Sequence, residues 1–142
     1  MSEIKYTLKG VSLEQFATLF EPSSDNISLN LSIPIKTNYE ERSFAVGVNI
    51  QYAEGDRPFM VAELFCHYEI EKECWDHLSD NGSDDVVIPK NLMDTLVRIS
   101  ISSIRGAICV KTENTPFAKY FLPIIEFGSK DGSSDFILRK EN

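Results

Sequence analysis

The chain has 142 residues, the size of one domain. Its 22 acidic and 14 basic side chains give a net charge of −8, which argues against binding to nucleic acid or anionic lipid, since both require clustered positive charge. No apolar run approaches the roughly 20 residues of a membrane helix, and the first residues lack the pattern of a secretory signal. Three cysteines do not make a disulfide framework. We expect a cytoplasmic protein with neither nucleic-acid nor membrane partners.

The N-terminal segment allows two interpretations. Residues 6–14 alternate in a way that favours an edge strand. Ser12 and Gln15 have the spacing of a capping box, which favours a helix that ends near Phe20. Both interpretations remain open, and they are compatible if a strand runs to about Leu13 and a short helical turn follows it.

Three segments with an apolar residue at every second position come next, at residues 27–35, 44–52 and 59–71. Pro34 marks an end or an edge of the first, because proline has no N–H to donate to a ladder. Gly55 lies in the short connection between the second and third, as is typical of a hairpin. The pattern predicts a meander of three long antiparallel strands, with a fourth from the N-terminal segment.

The third of these strands is apolar on both faces, with Leu64 and Tyr68 on one side and Phe65 on the other. One layer of helices covers only one face of a sheet. The other face must therefore meet a second sheet, a partner subunit or a bound peptide. We predict a homo-oligomer interface formed by Ala62, Leu64, Cys66, Tyr68, Ser100 and Ser103.

The second half of the chain predicts one long helix. Apolar residues recur at steps of three and four over residues 89–105, and Pro89 suits a first helical position. Before it, residues 72–85 are polar and acidic, and we interpret them as a surface excursion with one helical turn that is packed down by Trp75. After it, residues 116–127 are expected to be extended, with a turn of helix near Ala118.

The sequence predicts a single domain over residues 1–127 and a mobile polar tail over residues 128–142. Phe136-Ile137-Leu138 interrupts that tail with three large apolar residues. We expect this triplet to dock, either onto its own chain or onto a neighbouring subunit.

The chain offers few candidates for catalysis or metal binding. Cys66, His67, Cys74 and His77 come nearest to a zinc site, but the first two are neighbours on a strand and point to opposite faces. Cys109 lies among apolar residues, which predicts core packing rather than a reactive thiol. Glycine-rich phosphate and dinucleotide motifs are absent from the sequence. We therefore expect no metal, no cofactor and no enzymatic activity.

The order of these features resembles the SecB export-chaperone family, over roughly residues 6–127. Several segments carry the resemblance: Lys9-Gly10-Val11-Ser12-Leu13-Glu14, Phe20-Glu21-Pro22, the hairpin around Gly55, Ile88-Pro89 with the helix to Arg105-Gly106, and Leu122-Pro123-Ile124-Ile125-Glu126-Phe127. The acidic residues 71–85 and the longer stretch between Gly106 and Leu122 depart from the family, as does the C-terminal tail. The chain looks like a diverged member, similar to chaperones encoded with toxin–antitoxin pairs.

The resemblance implies an α+β fold, with a four-stranded antiparallel sheet built on a long central hairpin and a long helix packed on one face. It implies a homotetramer (a dimer of dimers) that holds non-native polypeptides in apolar grooves without ATP. It also makes Glu63 a partner-facing acid. The alternative is an oligomeric adaptor dedicated to one partner, such as an antitoxin or a regulatory protein. Candidate groove residues are Leu29, Leu31, Phe44, Phe65, Trp75, Leu92, Leu96 and Phe117.

Overall fold

The computed structural model describes residues 4–79, 86–125 and the strand 136–138. The described strands are β1 (Tyr6–Thr18), β2 (Ile27–Ser32), β3 (Ile35–Asn38), β4 (Ser43–Glu54), β5 (Arg57–Ile70), β6 (Val86–Ile88) and β7 (Phe136–Leu138). The helices are α1 (Lys72–Leu78), α2 (Lys90–Lys111) and a 3₁₀ helix at Pro116–Lys119. None of the described helices is both long enough and apolar enough to span a membrane.

The main sheet is antiparallel, in the order β1-β5-β4-β2, with β3 also paired to β4. β2 pairs with the second half of β4 and β3 with the first half, so these two short strands share one edge of the sheet. The break between them contains Pro34, whose carbonyl accepts from the Gly47 N–H at 2.8 Å. The predicted α+β architecture, with a sheet four positions wide and a long helix on one face, is confirmed.

The alternative of a helical turn after Leu13 is wrong, because β1 continues as a strand to Thr18 and pairs with β5 throughout. The central hairpin is as predicted. Gly55, at its tip, has a φ of 61°, a backbone conformation that glycine adopts without steric strain.

α2 lies across one face of the sheet, over β4 and β5, and we call this the helix side. Its buried residues include Leu96, Ile104 and Ile108, which recur at the spacing of one helix face. Because Ile108 continues that face, the helix runs six residues beyond the predicted end at Arg105. The opposite face of the sheet is called the open face.

The predicted subunit interface on β5 lies instead inside the chain's own core. Ala62, Leu64, Cys66 and Tyr68 face α2 and are almost fully buried by it. Ser100 is also buried and donates to the Val46 carbonyl at 2.9 Å. The prediction was wrong for these five residues, because α2 together with α1, β6 and Leu122 seals the helix side of β4 and β5 within one chain. Ser103 lies over Cys66 (3.8 Å between Oγ and Sγ) and is only partly covered.

A second, two-stranded sheet consists of β6 and β7. The triplet Phe136-Ile137-Leu138 forms β7 and pairs antiparallel with Val86–Ile88 of the same chain. For these three residues the predicted mobile tail is replaced by a docked strand, whereas the rest of residues 126–142 lies outside the described residues.

Candidate polypeptide-binding surface

β1 carries a row of apolar side chains on the helix side of the sheet. Its members, which we call the β1 row, are Tyr6, Leu8, Val11, Leu13 and Phe16, each paired with a helix-side residue of β5. The first three remain 37%, 47% and 50% exposed. They are left uncovered because α2 packs over β4 and β5 and barely reaches β1.

Two β-bulges keep the β1 row on one face. The strand gains one extra residue at Lys9 and another at Glu14, where the pairing with β5 shifts register. Because strand side chains alternate with a period of two, the first bulge is what returns Val11 and Leu13 to the helix side. The second does the same for Phe16. The bulges thus keep the apolar row on one face over the whole strand, and its first three members are exposed.

β1 is also an edge strand. It pairs with β5 on one side, and its other side has no strand partner among the described residues. An open edge presents unpaired N–H and C=O groups to any extended chain that lies alongside. Backbone pairing at such an edge, combined with a row of apolar contacts, is how many domains bind extended peptides.

The side of α2 that faces away from the sheet carries small side chains. Ser102 and Gly106 are exposed there, with Val110 one turn further on. A shallow depression beside Ser102 is lined by Arg98 and Ile99 among others. These small side chains would let another helix approach closely.

Aromatic residues cluster around the closed end of the central hairpin. The buried ring of Phe59 contacts four others, at centroid distances of 4.9 to 6.3 Å. Its partners are Phe20, Tyr52, Phe117 and Tyr120. This cluster closes the core where β1 ends, and it ties the segment after α2 to the sheet.

The segment that follows the 3₁₀ helix is held in place by two polar side chains. Arg105 donates to the carbonyls of Leu122 and Pro123 at 2.9 and 2.8 Å. The Tyr52 hydroxyl donates to the Phe121 carbonyl at 3.1 Å, and burial raises the pKa of that hydroxyl. Anchored this way, the segment buries Leu122 while Ile124 stays 91% exposed.

The large apolar side chains of β5 on the open face are Val61, which is partly buried, and Phe65, whose ring is sealed by the chain itself. Lys36 Nζ lies 4.0 Å from the ring centroid, and the ring covers Gly47 on the neighbouring strand. The same ammonium bonds Glu14 Oε1 at 3.1 Å. The second apolar face of β5 therefore requires no other polypeptide, contrary to the prediction.

Ser12, His67 and Glu14 meet on the open face. Ser12 Oγ lies 2.9 Å from His67 Nε2 and 2.9 Å from Glu14 Oε2. Hydrogen bonds from Lys36 and then Ser12 hold the pKa of Glu14 below its ordinary value. Because an ionised carboxylate only accepts, the hydroxyl proton goes to Glu14 and Nε2 must donate to Ser12. His67 so oriented cannot act as a general base towards Ser12.

The predicted opposite orientations of Cys66 and His67 are confirmed: Cys66 faces α2, and His67 lies on the open face. Among the described residues, no cluster of His, Cys, Asp or Glu could hold a metal ion. Cys109 is exposed on α2 rather than packed in the core, because the helix continues past Arg105 and turns this position outwards.

Four of the eight candidate groove residues lie inside the subunit. Phe44, Phe65, Trp75 and Leu96 are buried within the subunit. The partly exposed remainder lies on three separate elements: Leu29 and Leu31 on β2, Leu92 on α2 and Phe117 on the 3₁₀ helix.

Glu63 lies on the open face, where Asn49 Nδ2 donates to its carboxylate at 3.0 Å. Its role towards a partner is still a prediction.

Sequence reasoning missed the β1 row. The signal was present as Tyr6 and Leu8, followed by Val11 and Leu13, but a strict period of two places the second pair on the opposite face from the first. Only the extra residue at Lys9 brings them together, and a bulge has no reliable signature in a single sequence.

Comparisons with known proteins bear on the fold. No family model and no curated protein matches the chain. A solved structure of a SecB-like chaperone from Mycobacterium tuberculosis, in complex with a ChAD peptide from an antitoxin, is similar to it. The match has a TM-score of 0.50 and 11% sequence identity, and it covers 84% of this chain and 90% of the chaperone chain. At that identity the likeness shows a SecB-like fold.

Proposed function

We propose that the protein is a SecB-like, ATP-independent chaperone that binds extended segments of non-native polypeptides. The observation that carries the proposal is the β1 row beside an open strand edge. A bound segment would pair its backbone with β1 and place alternate side chains on Tyr6, Leu8 and Val11. The likeness to a chaperone solved with a bound peptide supports this assignment.

We also propose a homo-oligomer, a dimer of dimers as the family resemblance implies. The outward side of α2, with Ser102, Ser103 and Gly106, is the surface we assign to subunit contact, since small residues permit close helix packing. Light scattering on the purified protein tests this assignment, and a strict monomer at working concentration contradicts it.

The direct test of the chaperone function is suppression of aggregation. The protein is added to a chemically denatured model substrate as the denaturant is diluted, and light scatter is followed over a range of ratios and salt concentrations. We expect scatter to fall to near baseline at about one binding unit per substrate chain, with no ATP present. Unchanged scatter at every ratio contradicts the proposal.

A second function is an adaptor dedicated to one partner. It is favoured by the similar chaperone having been solved with an antitoxin peptide. Co-purification from the native host discriminates between the two. One dominant, stoichiometric partner supports the adaptor, whereas a broad set of unfolded proteins supports the general chaperone.

A further inference from the structure

β6 is a short strand that is fixed by its own side chains. Val86 and Ile88 are fully buried in the core, β6 contacts α1, and Pro89 connects it directly to α2. Ser79 forms a bridge with Val86 on one edge of the strand. Core contacts and Ser79 therefore hold β6 in addition to its pairing with β7.

The other edge of β6 is occupied by β7, through three residue pairs from Val86↔Leu138 to Ile88↔Phe136. The pair stands apart from the main sheet. Two strands of this length have little stability of their own, so the anchored β6 supplies the template and β7 is the strand added to it.

The sequence of β7 has the composition of a bound peptide. Phe136-Ile137-Leu138 follows a Gly/Ser/Asp-rich stretch, and Arg139 and Lys140 come directly after it. An extended apolar triplet of this kind suits an anchored strand edge, where backbone pairing holds it.

We propose that the outer edge of β6 is a peptide-binding site whose resting occupant is the chain's own segment Phe136–Leu138. A client segment of the same chemistry, three or so large apolar residues in extended conformation, replaces β7 by pairing with Val86–Ile88. This proposal rests on the proposed function for the source of such segments and adds a second, self-occluded site to the β1 row.

Self-occupancy regulates the site by competition. A segment tethered to the same chain is present at an effective concentration in the millimolar range. A peptide in solution must compete with this segment. The apparent affinity of the peptide is therefore its intrinsic affinity multiplied by the fraction of molecules whose β6 edge is open. Releasing β7 should restore the intrinsic affinity of the edge.

The test uses a fluorescent peptide with the sequence of residues 133–141 and three full-length chains: natural, Ile137→Pro and Ser129→Pro. Proline inside β7 removes an N–H and disfavours pairing, whereas Ser129→Pro controls for a proline outside β7. We expect fluorescence anisotropy to show at least tenfold tighter binding to the Ile137→Pro chain than to the other two. Equal binding to all three chains, or none to Ile137→Pro, overturns the proposal.

Should Ile137→Pro not fold, the natural chain carries the test. With a hundredfold excess of unlabelled peptide, amide resonances of residues 86–88 and 136–138 should shift together, and unchanged resonances overturn the proposal. Peptide exchange at β6 without suppression of aggregation would keep this site and refute the chaperone function. Suppression of aggregation without peptide exchange would keep the chaperone function and refute this site.

Discussion

Replacing the exposed part of the β1 row should weaken client binding far more than it weakens folding. The double variant Leu8→Thr, Val11→Thr removes apolar surface while keeping residues that favour strands. Fully burying a Leu or Val side chain contributes about 1.5–3 kcal/mol. Since Leu8 and Val11 are 47% and 50% exposed in the free chain, a bound segment that covers them gains roughly half of that, about 1 kcal/mol at each position.

The expected loss for the pair is therefore about 2 kcal/mol of binding free energy, or about 30-fold in Kd. It is measured by titrating a labelled, permanently unfolded polypeptide against each chain and following anisotropy. The matched control is Phe121→Thr, Ile124→Thr, which removes at least as much exposed apolar surface away from both β1 and α2. Thermal unfolding of each variant checks that the fold persists.

Equal loss of affinity in both double variants would refute the assignment, because any exposed apolar surface would then bind the client equally well. A change in oligomer mass in the β1 variant, with client affinity intact, would show that the row is a subunit interface instead.

Three further predictions concern the scaffold. Gly47→Ala should lower the free energy of unfolding by about 1–3 kcal/mol, because the new Cβ would lie 2.6 Å from Cε1 of Phe65; urea titration measures it, and an unchanged midpoint contradicts the packing described. In Lys36→Met, NMR titration should show the pKa of Glu14 moving up towards its ordinary 4.5, because the main cause of its lowering is gone. The natural chain should then lose more stability than the variant as the pH falls below about 4.5. The reason is that a carboxyl whose pKa is lowered by folding stabilises the folded chain only while it is ionised. Arg105→Met, which loses both bonds to the segment after α2, should cost about 2 kcal/mol and speed proteolysis near residue 124, whereas an unchanged cleavage rate would mean that the segment is held by other contacts.

The strands of the central hairpin and α2 could be predicted from the sequence because each has a periodic apolar face. The apolar residues alternate over residues 44–52 of β4 and 60–70 of β5, and Gly55 marks the turn between the two strands. Pro89 marks the start of α2. Where the pattern is this regular, burial follows directly from it.

What the sequence could not show is which apolar face a single chain covers by itself. Phe65 looked like a residue in need of a partner, yet a lysine from β3 and a glycine from β4 suffice to seal it. Both lie far from it in sequence, so no local pattern reveals the contact. The exposed row instead lies on β1, where two bulges conceal it from a period-two search.

β6 and β7 were missed for a related reason. Each is three residues long, which is too short to show an alternating pattern, and the two lie about fifty positions apart in the sequence. The apolar triplet itself was visible as a segment that should dock, but its partner depends on which strand edge the fold leaves open.

Hydrogen–deuterium exchange with and without an unfolded client tests the central claim most directly. The account predicts that an equimolar, permanently unfolded polypeptide slows exchange in peptides that span residues 6–16, while exchange in the buried strand β4 stays as it was. Bound client with unchanged exchange along β1 would contradict it.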